Sequence, residues 1–378
     1  MRALTRLNET LGHTIRKNVV RDVAQGRFQG AGRLSPLTLA VALAVVATPY
    51  LVAAYGLYLC LTGFPEIGPL VAGGLVLAAA IYLWPRARRN RRPTLTQTEA
   101  PVLFSLLDAI TERQGGARID GVHVTADFNA YAALYAPRTQ VIGIGAPLWL
   151  ALDADQRLAL LAHECAHFAN NDPARSELTG QAMVTIDRWC SLFSPPELYD
   201  HATQTSYVVD DRGLTGQIVG ALFGGATRSL SFVFERLIFV ESQRAEYFAD
   251  VMAAKIAGSH AMAAALKRTM LAPLAGTALK RTRYTGANEV PVFANMAKAV
   301  RNATPEEAEP ILRTAMEQLL TVDQTHPPTR FRVEVVNAVV TQGASIDASE
   351  IDWTALNAEL APFFVREEKS LLAKIIIQ

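Results

Sequence analysis

Cysteine is scarce. Cys60, Cys165 and Cys190 are the three cysteines in 378 residues and they form no short-spaced pair, which excludes a disulfide framework and a cysteine zinc knuckle and points to a reducing compartment for the soluble part. An excess of one charge is also missing. With 36 basic and 35 acidic residues the formal net charge is +1, so no polyanionic partner is favoured over the whole surface and no nucleic acid is expected. Internal repeats and low-complexity tracts are absent, which sets aside solenoid and tether architectures. What is present is apolar: 50% of the residues are hydrophobic, enough for a catalytic domain of ordinary size with additional elements.

Charge is missing locally as well. From Leu34 to Pro65 no residue is ionisable at neutral pH as a Lys, Arg, Asp or Glu, and after Glu66 a second uncharged run extends from Ile67 to Pro85. Each run can supply the roughly 20 apolar residues of a bilayer crossing, and the short stretch Thr62 to Glu66 between them predicts a tight turn and a transmembrane helical hairpin. A cleaved leader does not fit, because more than thirty residues precede the first run and a second follows it directly. Arg2, Arg6, Arg16, Lys17, Arg21, Arg27 and Arg33 precede the first run, Arg86, Arg88, Arg89, Arg91 and Arg92 follow the second, and the turn has no basic residue. The positive-inside rule then puts both termini and the soluble domain in the cytoplasm, in an integral protein of a bacterial-type cell membrane. Leu4, Leu7, Leu11, Ile15 and Val19 recur at helical spacing among the first basic residues, as they would in a helix lying on the bilayer or packed on the body of the protein.

These features divide the chain into an amphipathic segment at 1–33, a hairpin at 34–85, a soluble domain at 93–340 and a helical extension at 341–378. Pro93 to Glu99 has the polarity of a linker, and an amphipathic helix is expected over Ala100 to Gln114. Alternation over Gly121 to Gly145 predicts three short strands ending in a hairpin. Asp153 with Gln156 forms a capping-box pattern for a helix through residue 167, and Asp172-Pro173 opens the next helix. Residues 194 to 213 have the composition of a loop. Gly213 to Thr227 is uncharged over a stretch short of a span, suggesting a buried or membrane-grazing helix, with two further spans as the alternative. A long helix is expected from Ser229 to Lys255, stopping before Gly258, and another from Thr304-Pro305.

Chemistry concentrates in LALLAHECAHFANND, residues 158 to 172. Residues four apart in a helix are rotated by about 400°, so His163 and His167 lie nearly above one another and can aim both imidazoles at one ion. Glu164 is offset from both, beside that ion and available to take a proton from a metal-activated water. Two ordinary histidines on a core helix would leave costly polar groups in a strongly apolar stretch.

Four segments in order resemble the membrane-associated zinc metallopeptidases that include the HtpX-like proteases and the CAAX prenyl proteases: NAYA at Asn129 to Ala132, AHECAHFANND, EYFADVMA at Glu246 to Ala253, and THPPTRFR at Thr325 to Arg332. The resemblance implies a mainly α (α+β), zincin-like gluzincin domain with a small sheet. It implies one zinc per chain held by His163, His167 and Glu246, with Glu164 as general base and acid and with His326 and Arg332 near the developing oxyanion. Two spans, where the CAAX enzymes have many, turn the expectation away from prenyl-protein processing. Asp172 is read as a helix cap, Cys165 as a small hydrophobe, and His123, His201 and His260 as structural.

For the third ligand the residues themselves leave two candidates. Glu241 lies on the apolar stripe of its helix, and Glu246 is turned roughly 140° from it. Glu246, however, has Asp250 one turn later, so one carboxylate can hold metal while the other accepts a ligand histidine N–H. The strand at Asn129, Ala130, Tyr131 and Ala132 suggests a sheet edge that pairs with an extended polypeptide substrate. The expected function is a membrane-anchored zinc endopeptidase acting on misfolded or membrane proteins, and the alternative is a non-catalytic membrane adaptor on the same fold. Oligomeric state has no signature.

Overall fold

The computed structural model describes residues 2–376 apart from 31, 85–93, 136–137, 194–196, 201–204, 209–212, 286–290, 318–325 and 340–342. The five arginines after the second apolar run, Pro137, His201 and Thr325 lie outside the described residues. By internal packing the chain forms two units, one of residues 1–33, 89–173 and 240–378 and the other of 34–88 and 174–239. The expected soluble domain is therefore interrupted, with part of it packing alongside the hairpin.

Helix α1 (Arg2–Ala24) is the basic amphipathic segment. Val19 and Val23 are buried, and the ring of His13 meets Phe331 edge-on at 5.0 Å. Packing on the body accounts for Val19 and Val23.

Helices α2 (Pro36–Gly63) and α3 (Ile67–Leu83) form the hairpin. Glycine permits close approach here, since a Cβ on Gly73 would lie 2.8 Å from the Gly56 carbonyl and one on Gly56 would lie 3.1 Å from the Gly73 carbonyl. Such small-residue contacts let apolar helices pack backbone to backbone. Among the described residues α2 alone is long and apolar enough to cross a membrane, whereas α3 has 17 residues. The second run is shorter as a helix than as a sequence because Trp84 is extended, the conformation favoured before a proline, here Pro85.

The stretch taken for a linker is part of the fold. Leu95 bridges Val122 in antiparallel fashion and is fully buried, because it is the one large apolar side chain among polar neighbours. Helix α4 (Pro101–Gln114) follows and ends at Gly115 in the left-handed conformation, φ 67°. Strands β1 (Gly121–Thr125), β2 (Ala130–Tyr135) and β3 (Thr139–Gly145) form a mixed sheet in the order β1-β3-β2, with β3 parallel to β1 and antiparallel to β2. Strand β2 is thus an edge. Helices α5 (Ala146–Ala151) and α6 (Ala154–Ala169) come next, and both bonds of the Asp153–Gln156 capping box are made at the start of α6.

Helix α7 (Asp172–Phe193) is followed by β4 (Glu197–Asp200) and β5 (Thr205–Val208), an antiparallel pair where a loop was expected. Tyr199, Tyr207 and Val208 favour extended backbone, and this preference prevails over the polar composition around them. Helix α8 (Leu214–Ala257) is a single element of 44 residues, joining what the sequence suggested as separate helices. No proline interrupts it, and it ends at Gly258 with φ 92°. One face of its first half is exposed: Ile218, Leu222, Phe223 and Val233 are each more than half exposed. In that second unit Ala42, Val45, Ala182, Ile186 and Phe234 form a buried cluster.

The remaining helices are α9 (Ser259–Met270), α10 (Ala272–Thr285), α11 (Val292–Arg301), α12 (Pro305–Glu317), α13 (Thr329–Asn337) and α14 (Trp353–Ile376). Instead of an appended extension, α14 is packed into the first unit. Leu356 and Leu360 are fully buried, Trp149 Nε1 donates to Asn357, and the Glu359 carboxylate accepts the N–H groups of Val102 and Leu103 at the start of α4. A carboxylate there satisfies orphan donors and opposes the positive end of the helix dipole.

Candidate metal centre

Apolar residues surround the HExxH positions of α6, and Leu161, Ala162, Cys165 and Ala166 are fully buried. His163 and Glu164 retain only 5% of their exposure. Helical spacing brings the two imidazoles together, with His167 Nε2 at 3.2 Å from His163 Nε2. Each ring's other nitrogen meets a carboxylate: His167 Nδ1 lies 2.9 Å from Asp172 Oδ2, and His163 Nδ1 lies 3.2 Å from Asp250 Oδ1. A neutral ring that donates through Nδ1 carries its lone pair on Nε2. The two Nε2 atoms thus face each other on the sides of the rings away from these carboxylates, where a metal would take their lone pairs.

Asp172 reaches His167 because α6 ends sharply. Asn171 is left-handed, φ 59°, which is tolerated by asparagine better than by other side chains. The chain turns back beneath the last turn of the helix, and Asn170 Nδ2 donates to Asp172 Oδ1 at 2.8 Å.

From α8, Glu246 completes the group, with Oε2 at 3.8 Å from His163 Nε2 and Oε1 at 3.6 Å from His167 Nε2. Asp250, one turn later, lies on the same face of the helix. Among the described residues, His163, His167 and Glu246 are the set of side chains that could hold a metal ion, and Glu241 is not in it. Two imidazole nitrogens and a carboxylate converge here, and one cation would satisfy all three. Donors around tetrahedral zinc are about 3.3 Å apart given bond lengths near 2.0–2.1 Å, close to the observed imidazole separation. The residues fit zinc.

Electrostatics maintains the ionised state. Burial alone would protonate Glu246, but the positive charge of His326 and Arg332 holds its carboxyl well below the ordinary carboxylate range. Burial likewise opposes ionisation of Asp250, and Arg332 overrides it through two hydrogen bonds, Nε to Oδ2 at 2.9 Å and Nη2 to Oδ1 at 2.7 Å. At His167 burial disfavours the imidazolium, yet the Asp172 hydrogen bond and the charges of Glu246 and Glu164 raise its pKa to about 9. The centre thus has strong affinity for positive charge.

The other site candidates are distributed unevenly. A cleft of about 380 Å³ opens against the group, lined by Glu164, His163, Arg332, His326, Asn129 and Ala130. Met262 and Leu266 of α9 and Leu148 and Leu160 add apolar walls. Tyr131 is turned away and covers Gly143, where a Cβ would lie 2.2 Å from its ring, and Ala132 does not line the cleft. His326, half exposed, has Nδ1 at 2.7 Å from Glu246 Oε2. Arg332 is committed to Asp250 and also approaches Glu246 Oε2 at 3.5 Å. Burial pushes the Cys165 thiol pKa upward, consistent with an inert small side chain. His123 packs against Tyr135, and His260 is exposed.

Sequence reasoning assigned Asp172 only a capping role and did not consider Asn170. The available signal was a carboxylate just past the helix end, preceded by two residues able to adopt left-handed backbone.

A family model described as Peptidase family M48 matches residues 107–340, more than half of the chain. A Protease HtpX homolog of Pyrococcus abyssi (strain GE5 / Orsay) is 24% identical over 297 residues, covering 71% of this chain and 88% of that protein. Protease HtpX of Hahella chejuensis (strain KCTC 2396) is 25% identical over 200 residues, covering 52% and 66% respectively. Among solved structures, S. mikatae Ste24p aligns over 81% of this chain and 67% of its own, with 16% identity and a TM-score of 0.33. The extent of the family match, on a chain whose two HExxH imidazoles converge with a carboxylate from a second helix, establishes that the chain belongs to peptidase family M48 and is a metalloprotease.

Proposed function

We propose that this metalloprotease is a membrane-anchored zinc endopeptidase that cleaves extended segments of misfolded or membrane proteins, using one zinc per chain on His163, His167 and Glu246. The observation that carries the reading is the convergence of two imidazole nitrogens and an ionised carboxylate on one wall of a cleft that also presents Glu164. Zinc bound there supplies a Lewis acid that polarises a carbonyl and lowers the pKa of a water toward 7. Glu164 takes the proton of the attacking water and delivers it to the departing amine. Asp172 and Asp250 orient the imidazoles and raise their basicity. Arg332 keeps Asp250 ionised in a buried setting and so acts by positioning. His326, half exposed at the cleft and paired through Nδ1 with Glu246, would stabilise a carbonyl oxygen as negative charge develops on it.

Strand β2 supports an extended substrate. It pairs with β3 on one side, and among the described residues no strand pairs with its other edge. Main-chain bonding along that edge would draw a polypeptide past Asn129 and Ala130 into the cleft with little demand on sequence.

A casein cleavage assay on detergent-purified full-length protein tests the reading. Metal analysis is expected to give one zinc per chain, chelation to abolish cleavage, and added zinc to restore it. Cleavage that survives complete zinc removal would refute it, and zinc retained without cleavage of any polypeptide would favour the adaptor reading.

The anchor is assigned to α2 with α3, and the seven basic residues before α2 put residues 1–33 and the 93–378 region on the cytoplasmic side. Proteinase added to sealed inside-out vesicles should digest both regions together. Protection of one while the other is cleaved would overturn this topology.

A further inference from the structure

We infer that Gly30 and Gly32, in the stretch between α1 and α2, set the orientation of His167 through Asn170, which makes Asn170 a positioning residue of the metal centre. The inference rests on the reading of His167 as a ligand. Three hydrogen bonds link the main chain of that stretch to the imidazole. The Gly32 backbone N–H donates to Asn170 Oδ1 at 2.9 Å, Asn170 Nδ2 donates to Asp172 Oδ1 at 2.8 Å, and Asp172 Oδ2 accepts from His167 Nδ1 at 2.9 Å. Asn170 is 2% exposed, so water offers no substitute for these partners. A backbone donor on one side and a carboxylate acceptor on the other admit a single orientation of the amide. With both Asp172 oxygens engaged, that carboxylate cannot rotate away from the ring.

The approach is tight as well as hydrogen-bonded. Gly32 is left-handed, φ 58°, a conformation that glycine adopts without penalty while presenting its N–H to Asn170. At Gly30 a Cβ would lie 2.4 Å from Asn170 Oδ1 and 2.9 Å from Phe248 Cε2. Phe248 lies on α8 between Glu246 and Asp250. The stretch therefore rests simultaneously on the end of α6 and on α8, the two helices that supply the three donors.

The other support of the centre is touched by the same part of the chain. On α1, His13 packs against Phe331, the Arg16 guanidinium lies 4.8 Å from that ring, and Arg16 pairs with Glu334. Phe331 is adjacent to Arg332, which holds Asp250 and through it His163. The N-terminal segment thus backs both carboxylate–histidine pairs, from its helix on one side and from its glycine-containing stretch on the other. Because that stretch leads directly into α2, the chain segment entering the proposed anchor is the one that orients a metal ligand.

Zinc affinity by chelator competition, the visible spectrum of the cobalt-substituted protein and far-UV circular dichroism test this on the purified full chain. Asn170→Ala and Gly30→Ala are each expected to weaken zinc roughly tenfold, the lower end for partners outside the ligand set, and to alter the cobalt spectrum. Gln29→Ala, on the exposed surface of the same stretch, should match the wild type. The double variant should be no weaker than Asn170→Ala alone, since both changes act through one amide. Should Asn170→Ala not fold, Gly30→Ala decides by itself, because its added methyl must displace Asn170. Wild-type affinity and spectrum in a folded variant, or fully additive losses, would overturn the inference. His167→Ala separates the two readings: zinc unaffected by it sinks the ligand assignment, whereas zinc lost there but unchanged in Asn170→Ala and Gly30→Ala sinks the inference alone.

Discussion

Glu164→Gln is expected to retain one zinc per chain and to lose peptide hydrolysis by about 10²–10⁴-fold, the usual contribution of a positioned acid–base group. Position is the reason. One residue after His163, the side chain is rotated by about 100° from that ligand and lines the cleft, while the group close enough to share a metal consists of His163, His167 and Glu246. The amide has nearly the same shape, so the 5% exposed site should accept it without a cavity. It has no basic oxygen to take a proton. Casein turnover alongside zinc content measures the separation, and wild-type turnover with zinc bound would remove Glu164 from the mechanism.

Glu246→Gln should cost the centre its metal, with zinc weakened beyond the roughly 100-fold upper limit for outer partners. The substitution removes the anionic donor and leaves only the two imidazoles, while Arg332 stays compensated by Asp250. Asp250→Asn should fall between about 10- and 100-fold, because an amide of the same shape remains beside His163 Nδ1 while the charge 3.2 Å from it is lost. Glu241→Gln should leave stoichiometry intact. Burial alone made Glu241 a competitor, yet the described donor set excludes it. Zinc lost with Glu241→Gln and kept with Glu246→Gln would reverse the assignment.

The parts of this protein legible in sequence are those governed by local spacing. The period of a helix aligns His163 with His167 and Glu246 with Asp250, a capping box starts α6, and alternation marks β1 to β3. Uncharged length identifies α2, and its neighbour α3 only approximately, since Trp84 ahead of Pro85 ends that helix early. Misreadings arose where composition was used in place of tertiary partners. Leu95 sits in a polar stretch but finds Val122, residues 197–208 contain a strand pair, and the absence of proline allows α8 to continue where charge suggested a break.

Sequence by itself determined that two imidazoles and an adjacent carboxylate occupy one helix, that an apolar hairpin precedes them, and that an acidic pair four residues apart awaits on a later helix. Only the tertiary structure decided how those pieces are held. It assigned Asp172 to His167 and Asp250 to His163, committed Arg332 to Asp250, and brought Gly30 and Gly32 against Asn170 across some 138 residues of chain. Spacing along a helix is set by its backbone hydrogen bonds and can be counted, whereas the partner of a buried charge is set by which helix packs against it. That choice depends on the whole core, because a buried carboxylate stays ionised only where packing delivers a compensating donor.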